Sequence, residues 1–417
     1  MNPSIRFRPL RPAVAADGAT TLDLLITVAA PPLETELLAR PRPPLNLALV
    51  IDRSGSMSGS KLSYARKAAR FLASELTERD RLAIVTFDEE VNVLVPSQPV
   101  RDPLLFISAI NTIQAGGCTA LFDGWLAGAT QVAQQLDATG LNRVLLLSDG
   151  QANEGLTEAA AIAAKVEGLT ERGISTSAFG LGSGFDEDLM GAVASAGDGT
   201  LAQIESPQQL ADLYASELQG LATTLGRKVS LGIRSKGGAE LVDQLNDLSL
   251  TSAGNFQLPN LRYGQELSVG VRLQLPAWAP NQEIASVRLA WDAPQQTGRQ
   301  ELRDSLTLPV KPKTELAQLA VDEAVAEQLA LLRANRDRRQ AIEALDQGDV
   351  HGAAASLASI DQHLAALPQS DAVMRERQLL QEKHELLQQD RNLSRKRLRR
   401  ESLRSSLNVW EGGDDTD

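Results

Sequence analysis

Between residues 45 and 222 the chain repeats one pattern: a short apolar run, then a longer helical stretch. The runs lie at 45–51, 81–87, 143–148 and 174–180. A strand that is apolar on both sides needs cover on both sides, which is the signature of a parallel sheet flanked by helices. Helices are expected near 59–77, 120–137, 157–172, 186–196 and 207–222, with an Ala-rich stretch at 159–164 favouring the third. This alternation predicts an α/β fold with a doubly wound, mostly parallel sheet.

The flanks follow a different period. Residues 4–10 and 21–28 alternate in part, and Pro31, Pro32, Pro41, Pro43 and Pro44 close that segment. Alternation returns at 228–234, 266–275 and 286–291. One wet face and one buried face predict an antiparallel β-sandwich. The N-terminal strands share this character and are expected to pair with the later ones. The α/β domain is then inserted into a loop of the sandwich. The expected boundaries are 1–44 plus 223–312 for the sandwich and 45–222 for the α/β domain. A helical region follows over 313–410, then an acidic, disordered tail over 411–417.

In the helical region Leu357, Ile360, Leu364 and Leu367 keep helical spacing until Pro368 stops them. Gly348 and Asp349 read as a C-cap followed by an N-cap. The pairs Leu379, Leu380 and Leu386, Leu387, then Leu393, recur every seven residues. So short a repeat predicts a helical hairpin or bundle, with self-association through these helices as one use of it.

Composition removes several function classes. Lys and Arg total 41 against 53 Asp and Glu, a net charge of −12, which disfavours non-specific nucleic-acid binding. The basic run from Arg391 to Arg404 reads as a solvated helix face with no interleaved aromatics. The single cysteine, Cys118, excludes an intrachain disulfide and any Cys-rich zinc site. It reads as a small buried filler, since no histidine accompanies it. The three histidines, His351, His363 and His384, fall on predicted helices near the end and are expected to be solvated. No segment reaches the about 18–20 apolar residues of a membrane span. No clean signal-cleavage pattern follows Arg6, Arg8 and Arg11, so a cytoplasmic location is expected.

The chemistry gathers where strands end. Asp52, Ser54 and Ser56 alternate as the first apolar run gives way to a loop. In open α/β sheets ligands bind at the carboxyl ends of strands. Oxygen donors of this kind suit a hard divalent cation. Thr119, after Gly116, Gly117 and Cys118, and Asp149, between Ser148 and Gly150, add oxygens from two further strand ends. Read alone, Asp52 to Ser56 also suits a turn or a helix N-cap, and Asp149 followed by Gly150 suits a turn. Asp123 reads as a helix-start or loop-bracing residue. The stretch from Gly55 to Lys61 fails as a phosphate loop because Ser60 separates Gly59 from Lys61 and Leu62 follows.

These residues resemble the metal-ion-dependent adhesion site of von Willebrand factor type A (VWA) domains, with the resemblance covering roughly 45–222. It extends to residues 119–124 and 180–186, which look like the bacterial branch of that family. The inserted arrangement is similar to bacterial proteins of that branch labelled calcium-activated chloride channel homologues. The resemblance implies a Mg²⁺ site, open also to Mn²⁺ or Ca²⁺, with Asp52, Ser54, Ser56, Thr119 and Asp149 as ligands. Cys118 beside Thr119 departs from the family pattern. The resemblance further implies a non-enzymatic protein-interaction module whose metal takes an Asp or Glu from a partner. A client-holding subunit beside an AAA+ ATPase is the second reading. A metal-dependent hydrolase is the weakest, because no general base accompanies the two acids.

Overall fold

The computed structural model describes residues 2–33, 43–137, 140–149, 152–182, 185–204, 223–246, 248–293, 296, 298–389 and 398. It divides into two compact units. One comprises Met1–Glu34, Leu225–Asp292 and Gly298–Asp417; the other comprises Thr35–Thr224 and Ala293–Thr297.

The chain begins with β1 (Ser4–Pro9), β2 (Val14–Ala15) and β3 (Thr20–Ala29). It then enters the α/β unit through β4 (Leu45–Asp52), α1 (Ser60–Glu75), β5 (Arg81–Phe87) and β6 (Val91–Pro99). Helices α2 (Pro103–Asn111) and α3 (Leu121–Ala133), strand β7 (Leu141–Ser148), α4 (Ala159–Thr170), β8 (Ile174–Leu181), α5 (Glu187–Ala196) and β9 (Leu201–Ile204) follow. The six strands run in the order β6-β5-β4-β7-β8-β9, all parallel except β6, which is antiparallel to β5.

Period two sorts the central strand between the two helix layers. Leu47, Leu49 and Ile51 of β4 join Leu62, Ala65 and Leu72 of α1 and Phe106 and Ile110 of α2 in one core. Ala48 and Val50 join Trp125 and Ala129 of α3, Ile162 and Val166 of α4, and Leu189 and Val193 of α5 in the other. Helix α3 lies close to the sheet: a Cβ on Gly128 would stand 2.2 Å from Val50 Cγ2. Strand β6 and helix α2 were not expected. Only Val95 of β6 is fully buried, so an edge strand of this kind carries no continuous apolar run. The helix expected over 207–222 lies outside the described residues.

The sandwich resumes with β10 (Thr224–Ser235), β11 (Glu240–Gln244), β12 (Phe256–Gln257), β13 (Leu261–Arg262), β14 (Glu266–Leu275), β15 (Ala285–Asp292), β16 (Arg299–Leu306) and β17 (Val310–Lys311). One antiparallel sheet has the order β1-β3-β14-β11, the other β12-β10-β15-β16 with β13 beside β10. Strand β3 pairs with β14 along its whole length, from Thr20 opposite Leu275 to Ala29 opposite Glu266. The N-terminal segment is thus an internal strand of a sheet completed more than 200 residues later, and the α/β unit is an insertion between β3 and β10.

The C-terminal helices are α6 (Lys313–Leu316), α7 (Glu323–Asp346), α8 (Val350–Ala365) and α9 (Asp371–Gln389). They belong to the same compact unit as the sandwich. Val325, Leu329 and Leu332 of α7 pack on Leu25 and Leu245. Gly270 of β14 makes room for them, since a Cβ there would stand 2.9 Å from Leu329 Cδ2. Asp322 caps α7 by accepting from the Val325 amide, and Asp349 caps α8 by accepting from the Gly352 amide, after Gly348 ends α7 at φ +80°. Ala341, Ile342, Leu357, Ile360, Leu364 and Val373 form the bundle's own core. His351 and His363 are exposed. The tail 411–417, Leu393 and the basic run, including Arg391 and Arg404, lie outside the described residues. No helix among the described residues is long and apolar enough to cross a membrane.

Candidate metal centre

Strands β4 and β7 are neighbours, with Ile51 opposite Leu147, and the strand order departs in both directions from β4. Their carboxyl ends therefore flank the switch point of the sheet, where open α/β folds form a crevice. Asp52 is the last residue of β4 and is fully buried. Its Oδ1 accepts the Ser54 amide at 2.8 Å and its Oδ2 accepts the Ser148 hydroxyl at 2.5 Å. Burial pushes this carboxyl up to about 6. The hydrogen bonds from Ser148 and Ser54 work against that rise, and the charge of Asp149 adds to it.

Ser54 precedes a single 3₁₀ turn, Gly55–Met57. Its Oγ lies 3.1 Å from Ser56 Oγ, so the two hydroxyls face one another. Ser54 is buried and Ser56 exposed, which gives the cluster one closed and one open side. Met57 anchors the turn in the core. The loop is fastened at its backbone: Gly55 donates to Gly117 O at 3.0 Å, Gly116 to Arg53 O at 2.8 Å, and Arg53 to Phe87 O at 2.8 Å. The Arg53 guanidinium pairs with buried Asp88 at 2.9 Å.

Thr119 is buried on the loop so fastened. Asn153 grips both sides of its peptide unit. The Asn153 Oδ1 accepts the Thr119 amide at 2.8 Å, and the Asn153 amide donates to Thr119 O at 3.1 Å. Asp149 follows β7 and is buried. Its Oδ2 receives the Lys61 ammonium at 3.0 Å, while its Oδ1 is buried with no hydrogen-bond partner among the described residues.

Asp52, Ser54, Ser56 and Asp149 are brought together by these contacts. Thr119 lies on the loop whose Gly117 carbonyl accepts from Gly55, and its own hydrogen bonds run to the 153–154 segment. Among the described residues no three His, Cys, Asp or Glu side chains gather as a metal cluster. The set here has two carboxylates, and its other donors are hydroxyls. Hard oxygen donors at one crevice, with one buried carboxylate oxygen left over, fit a hard divalent cation.

The contacts add residues that spacing did not reveal. Ser148, Lys61 and Asn153 touch or brace the expected ligands, and only Ser148 had a local signal, its place beside Asp149. Cys118, expected as a buried filler, is exposed. Its amide donates to Glu89 Oε2 at 2.9 Å, and Gly117 turns the chain at φ +53°, so the side chain faces outward. Asp123 lies in the first turn of α3, in keeping with its reading as a helix-start residue.

Residues 46–216 match the model of the von Willebrand factor type A domain. An uncharacterized protein of Synechocystis sp. is 28% identical over 330 residues, covering 76% of this chain and 77% of that protein. Two solved structures share the fold over most of the chain. The von Willebrand factor type A protein from Catenulispora acidiphila has a TM-score of 0.66 at 16% identity, covering 91% of this chain and 89% of its own. The ArnB paralog VWA2 from Sulfolobus acidocaldarius has a TM-score of 0.59 at 15% identity, covering 97% and 99%. The likeness to both is one of fold.

Proposed function

We propose, from the match of residues 46–216 to the von Willebrand factor type A domain, that the chain is a divalent-metal-dependent protein-binding module. Asp52, Ser54, Ser56, Thr119 and Asp149 would hold the ion, Mg²⁺ being the ion that suits these donors. Bound there, the cation supplies an electrophilic position for a carboxylate oxygen from a partner's Asp or Glu. The observation that carries this reading is Asp149 Oδ1, a buried carboxylate oxygen with no partner among the described residues, whose charge also acts on a second buried carboxylate, Asp52, at the switch point. An ionised group left unsatisfied in the interior is costly and is retained where a ligand answers it.

This chain's own residues do the positioning. Ser148 and the Ser54 amide hold the two oxygens of Asp52, and Asn153 clamps Thr119. The buried Ser54 side closes the cluster and the exposed Ser56 side opens it to a partner. A binding role agrees with the residue types present. The chain's three histidines, at 351, 363 and 384, all lie outside the type A domain, so it has no imidazole to act as a base.

Asp52→Ala is expected to abolish Mg²⁺ uptake in calorimetry while circular dichroism stays that of the parent. A pull-down from native cells should lose the same partners with this variant as with chelator. Undiminished Mg²⁺ binding by Asp52→Ala would remove these residues from the site.

A further inference from the structure

Lys61 stands inside the centre although no oxygen pattern announces it. It lies in the first turn of α1, entered through Gly59 at φ +80°, directly after the turn that carries Ser54 and Ser56. Met57 between them is locked in the core, so Lys61 and the ligand loop belong to one anchored segment. The Lys61 stem passes the end of β8, where a Cβ on Gly182 would stand 3.3 Å from Lys61 Cε. Packed there, the chain delivers its ammonium to Asp149 Oδ2 at 3.0 Å. The Asp149 side chain is 1% exposed and that of Lys61 is 32% exposed, so the pair is only partly screened by water. The two oxygens of Asp149 thus face different things: Oδ2 an internal cation, Oδ1 no donor among the described residues.

We propose that Lys61 is an internal competitor for the divalent cation and the residue that makes the loaded centre select an anionic partner. The inference rests on the metal reading above and deepens it. Asp52 and Asp149 contribute two negative charges and Lys61 one positive. The neighbouring Arg53–Asp88 pair cancels itself. The Asp186 carboxylate, engaged by the Asp188 and Leu189 amides, and Glu89, engaged by the Cys118 amide, keep their charges and add the same background whatever stands at position 61. Counted over Asp52, Asp149 and Lys61, the metal-free centre has a net charge of about −1, and a divalent ion takes it to about +1. An incoming carboxylate brings that to neutrality. Without Lys61 the loaded centre is already neutral, so the cation is held more firmly and the carboxylate less so. Lys61 shifts the two affinities in opposite directions, which a packing role alone does not do.

The test uses the full chain and Mn²⁺, with free Mn²⁺ counted by electron paramagnetic resonance. Acetate serves as the carboxylate, read by its displacement of water from bound Mn²⁺ in proton relaxation. Lys61→Met is expected to bind Mn²⁺ about tenfold more tightly and to need about tenfold more acetate for half-displacement, the effect of one partly screened charge. Lys61→Arg, which keeps the charge, should return both values toward the parent's, and its circular dichroism controls for folding. Mn²⁺ binding by Lys61→Met that is unchanged or weaker overturns the inference, leaving Lys61 as a support for Asp149. Tighter Mn²⁺ with unchanged acetate dependence overturns the selectivity. A parent chain that binds no Mn²⁺ overturns this inference and the metal reading together. A parent that binds it, with Lys61→Met no tighter, overturns this inference alone.

Discussion

In the helical bundle Arg338 and Glu376 are buried together, and at the strand ends of the α/β unit Asp52 and Asp149 are both buried, near enough for the charge of Asp149 to act on Asp52. Arg338 pairs with Glu376 and donates from its other terminal nitrogen to Asn335 Oδ1 at 2.8 Å. Burial pulls its guanidinium down to about 10, which still leaves it charged at neutral pH. One positive charge there meets one negative charge and an amide through its two terminal nitrogens, so the pair is neutral although the Arg338 Nε makes no hydrogen bond among the described residues. At the strand ends two carboxylates have one ammonium between them, which reaches Asp149 alone, and one Asp149 oxygen has no donor among the described residues. A buried charge answered within the protein fixes helix packing. A buried charge left short makes a place for something else to bind.

The widest contrast comes from removing one member of the satisfied pair. Arg338→Met strands Glu376 and is expected to destabilise the bundle by about 3–5 kcal/mol. Amide hydrogen exchange in α7, α8 and α9 reads this directly. The double change Arg338→Met with Glu376→Leu should recover most of the loss, because two apolar groups replace a matched pair. Normal exchange in the single variant would mean that the pair carries no buried charge, and the comparison would lose one side.

Next is the pH dependence of the other cluster. The Asp52 carboxyl rises from an ordinary 3.8 to about 6 in the folded chain. The folded state therefore binds the extra proton, and metal-free stability falls as pH rises from about 4 to about 6. Above that range the loss is complete, about 3 kcal/mol for a shift of this size, and below pH 4 it is absent. Asp52→Asn should remove this slope, since the amide can accept from the Ser54 N–H and donate to the Ser148 hydroxyl. Hydrogen exchange in β4 and β7, with chelator present, should show the variant more stable at pH 7 and equal to the parent at pH 4. A parent with no slope over that range would show Asp52 to be better satisfied than its burial implies.

The smallest effect sharpens the site itself. Asn153→Ala releases the Thr119 clamp at about 1 kcal/mol, and Mn²⁺ affinity should drop about fivefold. Exchange in the helical bundle should not change. An unaltered affinity would remove Thr119 from the ligand set.

Much of the α/β unit could be read before any coordinate. Strands β4, β5, β7 and β8 have apolar runs because their residues are buried on both faces. Their hydrophobicity is local information. Strand β6 has one fully buried residue, so its composition stays mixed and carries no strand signal. The exposure of Cys118 carries no local signal either, since it depends on a turn at Gly117 and on Glu89 from another loop. In the candidate centre, the closeness of Asp52, Ser54 and Ser56 follows from strand geometry and a short loop, and hydrogen bonds link the three. Lys61 and Asn153 were not legible in this way, because each acts through a residue far away in the chain.

The sequence by itself determined the period of each segment, and with it the inserted α/β layer, the alternating sandwich strands and the capped helices. Period is set by which side chains must leave water, and that is written residue by residue. Only the tertiary structure decided that β3 runs beside β14, that α7 lies over Gly270, and that the Lys61 ammonium reaches Asp149. Pairings of this kind turn on distance and burial between segments remote in sequence, and those exist only once the chain has closed on itself.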